Sequence, residues 1–243
     1  MAGGARTKAV LLAGGLGTRL RPLTETVPKC LVDIGGQPLL DYWIDGLERA
    51  GIRELLINTH HLPEPVRAHL AELRSARGLS IQEAYEPKLL GSAGTLTANR
   101  DFAGGADEVV IIYADNLSDM DLGASLRFHR GHGDPFTMVL FHTTRPKECG
   151  IASMDGASRI VEFEEKPKEP KSNLANAGVY VLSADAYREI ADMHAFDLGF
   201  DVLPRFVGRM RGYAHEGYHL DIGHMAALEQ ARADVARVFG GPR

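Results

Sequence analysis

The chain is short of cysteine, of positive charge and of long apolar runs. Its two cysteines, Cys30 and Cys149, are too few and too isolated for a disulfide scaffold or a cysteine-rich metal site. The formal net charge of −5 gives no electrostatic reason to expect a nucleic acid or an anionic membrane as a partner. No uncharged run approaches the length of a membrane span and the amino terminus has no signal-peptide core, so we expect a cytoplasmic protein.

Two common phosphate-binding patterns are also absent. A Walker A loop ends in Gly-Lys-Ser or Gly-Lys-Thr, and neither tripeptide occurs. The dinucleotide fingerprint needs a third glycine where this chain has Leu20, and Pro22 and Pro28 would break the helix that the fingerprint opens. The glycine-rich run between Leu12 and Lys29 then has two interpretations: a phosphate-binding loop of another kind, or an ordinary turn after a strand.

The composition of that run favours phosphate binding. It follows a short apolar strand and places Gly14, Gly15 and Gly17 close together. Glycines allow backbone N–H groups to approach an anion closely. Arg19 and Lys29 add the fixed positive charge that a nucleoside triphosphate (NTP) requires. The run is therefore suited to hold a polyphosphate.

The ordered combination GGLGTRLRPLT followed by PK resembles the signature of the sugar-1-phosphate nucleotidylyltransferases, the pyrophosphorylases that make nucleotide sugars. The resemblance extends along most of the chain and is nearest to short members similar to mannose-1-phosphate guanylyltransferase. It implies that a sugar 1-phosphate attacks the α-phosphorus of an NTP in line and releases pyrophosphate. It also implies Mg²⁺ as cofactor, with Arg19 holding the departing pyrophosphate and Lys29 the α-phosphate. The positions implied to contact the nucleotide are Ala13, Gly14, Gly15, Gly17, Thr18, Glu86, Gly91, Ser92 and Gly94.

Strand and helix patterns alternate in the first half of the chain, which predicts a mainly parallel sheet. After Gly150 the pattern changes to short strands separated by turns. Together with the resemblance, this implies an α/β fold with a Rossmann-like sheet and a β-rich sugar-binding insertion, and no left-handed β-helix. We predict one domain over 1–243, with a nucleotide-binding half over about 1–135, a sugar-phosphate-binding half over about 136–222 and a closing helix over 223–243. The predicted strands cover 8–13, 54–59, 79–84, 108–113, 135–142, 151–154, 159–164 and 176–182, and the predicted helices cover 39–50, 64–77, 95–100, 121–131, 184–193 and 225–239.

Two aspartates are candidate Mg²⁺ ligands. Asp115 follows the apolar run VVIIYA, so its carboxylate should emerge at the carboxyl end of a strand. A hard oxygen ligand suits Mg²⁺, which takes one or two carboxylates plus phosphate oxygens, although a turn or helix cap is the alternative role. The resemblance to a strand-end Gly-Asp-Asn, with Ala114 in place of the glycine, favours the metal role. A similar resemblance to Asp-Ile-Gly near the carboxyl terminus makes Asp221 the second ligand.

Histidines near the carboxyl terminus suggest a zinc site less strongly. His215, His219 and His224 lie close together in the sequence. Alternation along a strand would put only the first two on one face. Transition-metal sites usually need three converging ligands, so we do not predict a histidine-based metal site.

The segment EEKP, ending at Pro167, is a candidate sugar-phosphate site. A solvated charge cluster at a strand end is the alternative interpretation. In the resembling family the glutamate of Glu-Lys-Pro holds sugar hydroxyls and the lysine holds the sugar phosphate, which implies these roles for Glu165 and Lys166. A lysine there would offset the repulsion between two anionic phosphates.

Two further segments match sugar-facing positions of the family. Asn176 and Gly178 lie in NAGVYV, and Gly150 lies in Cys-Gly-Ile where the family has Tyr-Gly-Val. The glycine would let backbone touch the sugar. Because Cys149 replaces the aromatic residue, the acceptor specificity of this chain is expected to differ.

The nucleobase site is predicted around Glu86 and the loop GSAGT over 91–95. A carboxylate only accepts hydrogen bonds, so Glu86 could accept from both N1–H and the exocyclic amino group of guanine. The loop resembles that of mannose-1-phosphate guanylyltransferases, which favours GTP. Alternatives are uridylyl, thymidylyl or adenylyl transfer to a glucose, heptose or amino-sugar 1-phosphate, or a catalytically silent regulatory relative. The sequence leaves the sugar and the oligomeric state open, and a homo-oligomer is compatible with it.

Overall fold

The computed structural model describes residues 4–240, which form two compact units, each made of three chain segments. Unit A comprises residues 9–89, 113–122 and 217–240, and unit B comprises residues 4–8, 90–112 and 123–216. The fold is α/β with a mixed, mainly parallel central sheet and helices, as predicted. Within 4–240 no helix combines the length and the apolar character that a membrane crossing needs. The units interleave along the chain, whereas the predicted halves follow one another.

Short elements separate the long strands and helices. The strands are β1 (Thr7–Leu12), β2 (Asp33–Ile34), β3 (Gln37–Pro38), β4 (Glu54–Thr59), β5 (Ser80–Tyr85), β6 (Glu108–Tyr113), β7 (Asn116–Ser118), β8 (Phe136–His142), β9 (Gly150–Met154), β10 (Ile160–Glu165), β11 (Leu174–Ser183), β12 (Met210–His215) and β13 (His219–Asp221). The helices are α1 (Leu39–Arg49), α2 (Pro63–Arg77), α3 (Ser92–Ala98), α4 (Leu122–His132), α5 (Ala184–Asp192), α6 (Leu203–Phe206) and α7 (Met225–Phe239). A π-helical turn over Leu198–Val202 precedes α6.

Three parallel strands of unit A end at the same edge. β1 pairs in parallel with β4 as far as Leu12 opposite Asn58, and β4 pairs in parallel with β5 as far as Thr59 opposite Tyr85. The glycine-rich loop after β1, the end of β4 and Glu86 after β5 therefore converge. Ligands of open α/β sheets usually bind outside the carboxyl ends of such strands.

An apolar core of unit A supports the antiparallel pair of β7 and β13. Leu117 of β7 and Ile222 after β13 are fully buried together with Ile34 and with Leu228 of α7. Deleting a buried side chain of this size costs about 2–5 kcal/mol, so the core holds this pair firmly. The pairing fixes where the residues beside both strands lie.

Unit B is organised around the long strand β11. It pairs antiparallel with β6 and β8, and β8 pairs in parallel with β12. Phe136 of β8 packs against Tyr180 of β11 and Phe206 of α6, with ring centroids 5.7 and 5.1 Å apart. The register of β11 shifts between Asn176 and Tyr180, and bulges of this kind redirect side chains near functional sites.

Candidate active site

Lys29, Asp115 and Asp221 meet in unit A. Lys29 Nζ donates to Asp115 Oδ2 at 2.8 Å and lies 3.9 Å from Asp221 Oδ1, while Arg19 Nη2 lies 3.9 Å from Asp221 Oδ2. The Lys29 side chain is 8% exposed, whereas the side chains of the two aspartates are 42% and 47% exposed. A buried ammonium group thus orients two carboxylates that remain accessible. We call these four residues the charged cluster.

Backbone pairing explains why the two aspartates are neighbours. Asp115 lies in the turn between β6 and β7, and β13 pairs with β7 so that Asp221 faces Asn116. The N–H of Ile222 donates to the carbonyl of Asp115 at 3.1 Å. The sequence predicted both aspartates as ligands, and the structure brings them together with Lys29.

The donor set of the charged cluster fits a magnesium ion that is shared with a substrate. Mg²⁺ prefers oxygen ligands and is usually bound by one or two carboxylates, with substrate phosphates and water completing its shell. Two accessible carboxylates side by side, Asp115 and Asp221, meet that requirement. In the part of the chain that the structure describes, no group of three or more His, Cys, Asp or Glu is suited to hold a metal. Phosphate and water would therefore supply the other ligands.

The histidines near the carboxyl terminus occupy different elements. His215 ends β12 in unit B and His219 begins β13 in unit A, so the expectation that they share one face of a single strand is wrong. The chain bends at Gly217 between the two strands, and this glycine was the sequence signal that separates them. His224 has a local role, because its Nδ1 accepts a hydrogen bond from the N–H of Ala227 at 3.2 Å and caps α7.

The glycine-rich loop is anchored at its start by Asn58. The N–H groups of Ala13 and Gly14 donate to Asn58 Oδ1 at 2.6 and 3.0 Å, and Asn58 Nδ2 donates to Glu86 Oε1 at 2.9 Å. Ala13 and Gly14 are both predicted to contact the nucleotide, but in this structure their backbone N–H groups donate to the Asn58 side chain. Sequence reasoning missed Asn58, whose only signal was a polar residue near the end of an apolar strand.

Glu86 is buried at the edge of the sheet where β1, β4 and β5 end. It is 2% exposed, its N–H donates to the carbonyl of Thr59 at 2.8 Å, and its own carbonyl lies 2.7 Å from His60 Nδ1. The structure places Glu86 near the start of the glycine-rich loop, with Asn58 bonded to one carboxylate oxygen. A contact with a base stays a prediction.

In unit B the Glu165 carboxylate lies between two glycines. A Cβ at Gly150 would overlap Glu165 Oε2, and a Cβ at Gly199 would lie 2.8 Å from the same atom. Burial raises the pKa of Glu165, Lys166 opposes the rise and Asp197 adds to it. A glycine that allows close backbone contact was expected at Gly150. Gly199 allows a similar contact with the Glu165 carboxylate, and the sequence analysis did not single it out. We call Gly150, Glu165, Lys166 and Gly199 the glutamate pocket.

The other predicted sugar-facing residues have local partners. The N–H of Lys166 donates to the carbonyl of Cys149 at 3.1 Å, and Lys166 Nζ lies 5.9 Å from the centre of the Phe200 ring. Asn176 Nδ2 donates to the Tyr180 hydroxyl at 2.7 Å, and Asn176 Oδ1 accepts from the N–H of Gly178 at 3.0 Å. The Asn176 amide is therefore held within β11.

The loop at the start of α3 belongs to unit B, unlike the other predicted nucleotide contacts. Ser92 Oγ lies 3.2 Å from Asp197 Oδ2 and accepts from the N–H of Leu198 at 2.8 Å, while the N–H of Ala93 donates to the carbonyl of Phe196 at 3.0 Å. The segment FDLGFD over 196–201 thus supports both this loop and the glutamate pocket. Its aspartates, its glycine and its two exposed phenylalanines were the available signal, and sequence reasoning overlooked them.

Open α/β folds bind their ligands outside the carboxyl ends of the strands, and this chain has a charged cluster there. It therefore belongs to the class of α/β proteins that are suited to bind phosphates. Residues 8–238 match the family model described as Nucleotidyl transferase, and the chain belongs to that family. This confirms the family resemblance stated from the sequence.

Named relatives agree with this membership. The chain is 33% identical over 220 residues to the mannose-1-phosphate guanylyltransferase catalytic subunit beta of Danio rerio, which covers 89% of this chain and 61% of the relative. It is 30% identical over 221 residues to mannose-1-phosphate guanylyltransferase 1 of Arabidopsis thaliana, with the same two shares. The chain thus spans about three fifths of the length of these relatives. A crystal structure of a Bacillus anthracis protein assigned as a glucose-1-phosphate thymidylyltransferase, in complex with sucrose, matches with a TM-score of 0.80, 26% identity and 98% of both chains.

Proposed function

We propose that this chain transfers a nucleotidyl group from an NTP to a sugar 1-phosphate, giving a nucleotide sugar and pyrophosphate. GTP and a mannose or heptose 1-phosphate are the favoured substrates. The charged cluster is the observation that carries the proposal, because it combines a buried cation with two accessible carboxylates. Family membership supports the reaction class, and the names of the relatives support guanine and mannose.

Positioning and charge neutralisation account for the chemistry. The sugar phosphate is already an anion, so no side chain has to act as a nucleophile or strong base. Lys29 would hold the α-phosphate, and its contact with Asp115 keeps the ammonium group in place. Arg19 would hold the departing pyrophosphate, and Lys166 would orient the attacking phosphate. The oxygen of the sugar phosphate forms a bond to the α-phosphorus while the bond to the pyrophosphate oxygen breaks.

Asp115 and Asp221 would hold Mg²⁺. When bound, the ion would supply positive charge that stabilises the phosphate oxygens. Asp115 is kept in place by Lys29 and by the β7–β13 pairing, so the geometry of these carboxylates is preorganised.

The glutamate pocket would bind the sugar. A carboxylate accepts hydrogen bonds from neighbouring hydroxyl groups, and Gly150 and Gly199 leave room for the backbone to approach the same oxygen. We propose that Glu165 accepts from sugar hydroxyls, and that Asn176 and Gly178 shape the adjoining backbone. Phe200 and Cys149 adjoin this pocket, because Lys166 contacts the Phe200 ring and the carbonyl of Cys149.

We propose that Glu86 takes part in selecting the base. Guanine offers two adjacent donors to a carboxylate, whereas thymine and uracil offer one N–H on the corresponding edge. The assignment of the Bacillus anthracis protein favours thymine as the second candidate base.

Pyrophosphate release tests the function. We would measure it for GTP, UTP, dTTP, ATP and CTP, each with a set of sugar 1-phosphates, with and without Mg²⁺. We expect release with GTP and a manno-configured sugar 1-phosphate, dependent on Mg²⁺. Release with another NTP would keep the reaction and reject the base. Folded protein that releases no pyrophosphate with any pair would contradict the proposed function.

The arginines of the glycine-rich run provide a matched pair of variants. Arg19→Ala should lower kcat/KM by about 10²–10³, because a preorganised charge donor contributes about 3–4 kcal/mol to the transition state. Arg21→Ala removes an exposed arginine two residues away and should change kcat/KM by less than about threefold. Equal losses in the two variants would reject the role of Arg19.

A further inference from the structure

A buried amide joins the glycine-rich loop to the end of β5. Asn58, 4% exposed, accepts from the N–H groups of Ala13 and Gly14 and donates to Glu86. A Cβ at Gly14 would lie 2.8 Å from Asn58 Nδ2, so the amide packs directly against the loop backbone. The contact therefore requires a glycine at 14 and an amide at 58.

The partners of the Asn58 amide determine which way round its oxygen and its amino group lie. Its carbonyl oxygen faces two N–H donors, and its amino group faces a carboxylate, which only accepts hydrogen bonds. An aspartate at the same position could still accept from the loop, but it would place one carboxylate against another. Asn58→Asp is nearly the same size, so it changes the bonding far more than the packing.

The segment after β4 also reaches the far end of the loop. His61 Nε2 lies 2.8 Å from the carbonyl of Thr24, and the Thr24 hydroxyl donates to the carbonyl of Gly17 at 2.7 Å. Asn58 holds the start of the loop. His61 supports its end indirectly, through Thr24, which is 1% exposed. The loop is thus held at Gly14 and again at Gly17, with residues 15 and 16 between them.

We propose that Asn58 is a positioning residue that couples the polyphosphate-binding loop to Glu86. It sets the conformation of residues 15–18, so the affinity for the triphosphate depends on the bond between Asn58 and Glu86. The proposal rests on the proposed function and extends it, because it makes phosphate binding and base selection dependent on one another. Coupling of this kind is measured by a double-mutant cycle.

The cycle uses Asn58→Asp, Glu86→Gln and the double variant. In the background with Glu86, Asn58→Asp should raise KM for the NTP by about tenfold or more, with KM for the sugar 1-phosphate within about twofold of wild type. In the background with Glu86→Gln, the same substitution should raise KM for the NTP by no more than about threefold, because the glutamine amino group can donate to the new carboxylate. Asn173→Asp adds the same charge at an exposed position of unit B and should leave both constants unchanged.

A purely structural role would give a different pattern. It would lower the melting temperature of Asn58→Asp while leaving KM for the NTP within about twofold of wild type, and that result would overturn the proposal. An equal rise of KM in both backgrounds would also overturn it. If Asn58→Asp does not fold, Asn58→Ser, whose side chain is too short to reach Glu86, should still raise KM for the NTP selectively.

Failure of the proposed function is recognised separately. If the wild type releases no pyrophosphate with any substrate pair, the cycle is measured by calorimetric titration of GTP with Mg²⁺. Weakened binding in Asn58→Asp that recovers in the double variant would support the coupling even then. A wild type that neither reacts with nor binds any NTP would overturn the proposed function and the coupling together.

Discussion

The charged cluster and the glutamate pocket use carboxylates in opposite ways. In unit A, Asp115 and Asp221 are nearly half exposed and are held by the buried Lys29. In unit B, Glu165 is held close to two glycines, and burial raises its pKa. Ion pairing therefore orients the first set, whereas close backbone packing orients the second. The two regions should respond differently when a charge is removed.

The largest expected effect comes from removing the cation of the charged cluster. Lys29→Met should lower kcat/KM by about 10²–10³, because it removes a preorganised phosphate ligand, and the loss of such a charge donor costs about 3–4 kcal/mol. The measurement is pyrophosphate release with the best substrate pair. Lys171→Met, which removes an exposed lysine paired with Glu162, is the control and should retain activity. A loss below about tenfold for Lys29→Met would reject the central role of this lysine.

The two units should also differ in how their stability depends on pH, because each contains a histidine with a shifted pKa. Burial in unit B lowers the pKa of His129 to about 4, so its neutral form is favoured by folding. Stability should fall between about pH 6.5 and pH 4, by up to about 3 kcal/mol, because the unfolded chain binds the proton more readily. Denaturant unfolding across this range should show a shallower acid decline for His129→Gln. An unchanged decline would contradict the assignment.

His69 of unit A should act with the opposite sign. Its Nε2 lies 2.6 Å from Asp41 Oδ1, and this hydrogen bond raises its pKa. Its contribution is complete below about pH 6.5 and is lost as the pH rises through the higher folded pKa. His69→Gln should therefore reduce stability at pH 6 more than at pH 8.5. A larger loss at the higher pH would contradict the sign.

A smaller effect is expected from neutralising the glutamate pocket. Glu165→Gln should lower kcat/KM by about 10- to 100-fold, because hydrogen bonds to a charged group contribute about 1.5–3 kcal/mol. Since the pKa of Glu165 is raised, its ionisation opposes folding above that pKa, and the variant should be at least as stable as wild type at pH 7–8. The stability difference should shrink as the pH falls from the raised pKa towards about 4, the range of an unperturbed glutamate, and should be absent below it.

Glu162→Gln on the same strand is the control for the glutamate pocket. Glu162 is exposed and pairs with Lys171, so its neutralisation should leave kcat/KM unchanged. A Glu165→Gln protein that is clearly less stable at pH 8 would show that the charge of Glu165 supports the fold. A protein with full activity would remove Glu165 from the binding site.

Periodicity predicted the long elements well. β4, β6 and α7 have the bounds expected from their apolar patterns, and most other long elements differ by one or two residues. The short strands β2, β3, β7 and β13 were missed because two or three residues carry no measurable period. The six-residue β12 was also missed, since MRGYAH has neither a clean alternation nor a long apolar run.

The candidate site was predictable where a residue acts through its own chemistry. Lys29, Asp115 and Asp221 were named from motif and charge, and the structure brings them together. Asn58 and Asp197 were missed because their partners are distant in sequence and only the folded chain reveals them. Packing between strands decides such contacts, and no local pattern encodes it.

The division of labour between the two regions is best tested by measuring both Michaelis constants in both variants. With the substrate pair that gives the fastest pyrophosphate release, Lys29→Met should raise KM for the NTP with little change for the sugar 1-phosphate. Glu165→Gln should do the reverse. This crossed result would support separate binding of the two substrates by the charged cluster and the glutamate pocket. Equal changes of both constants in both variants would contradict it.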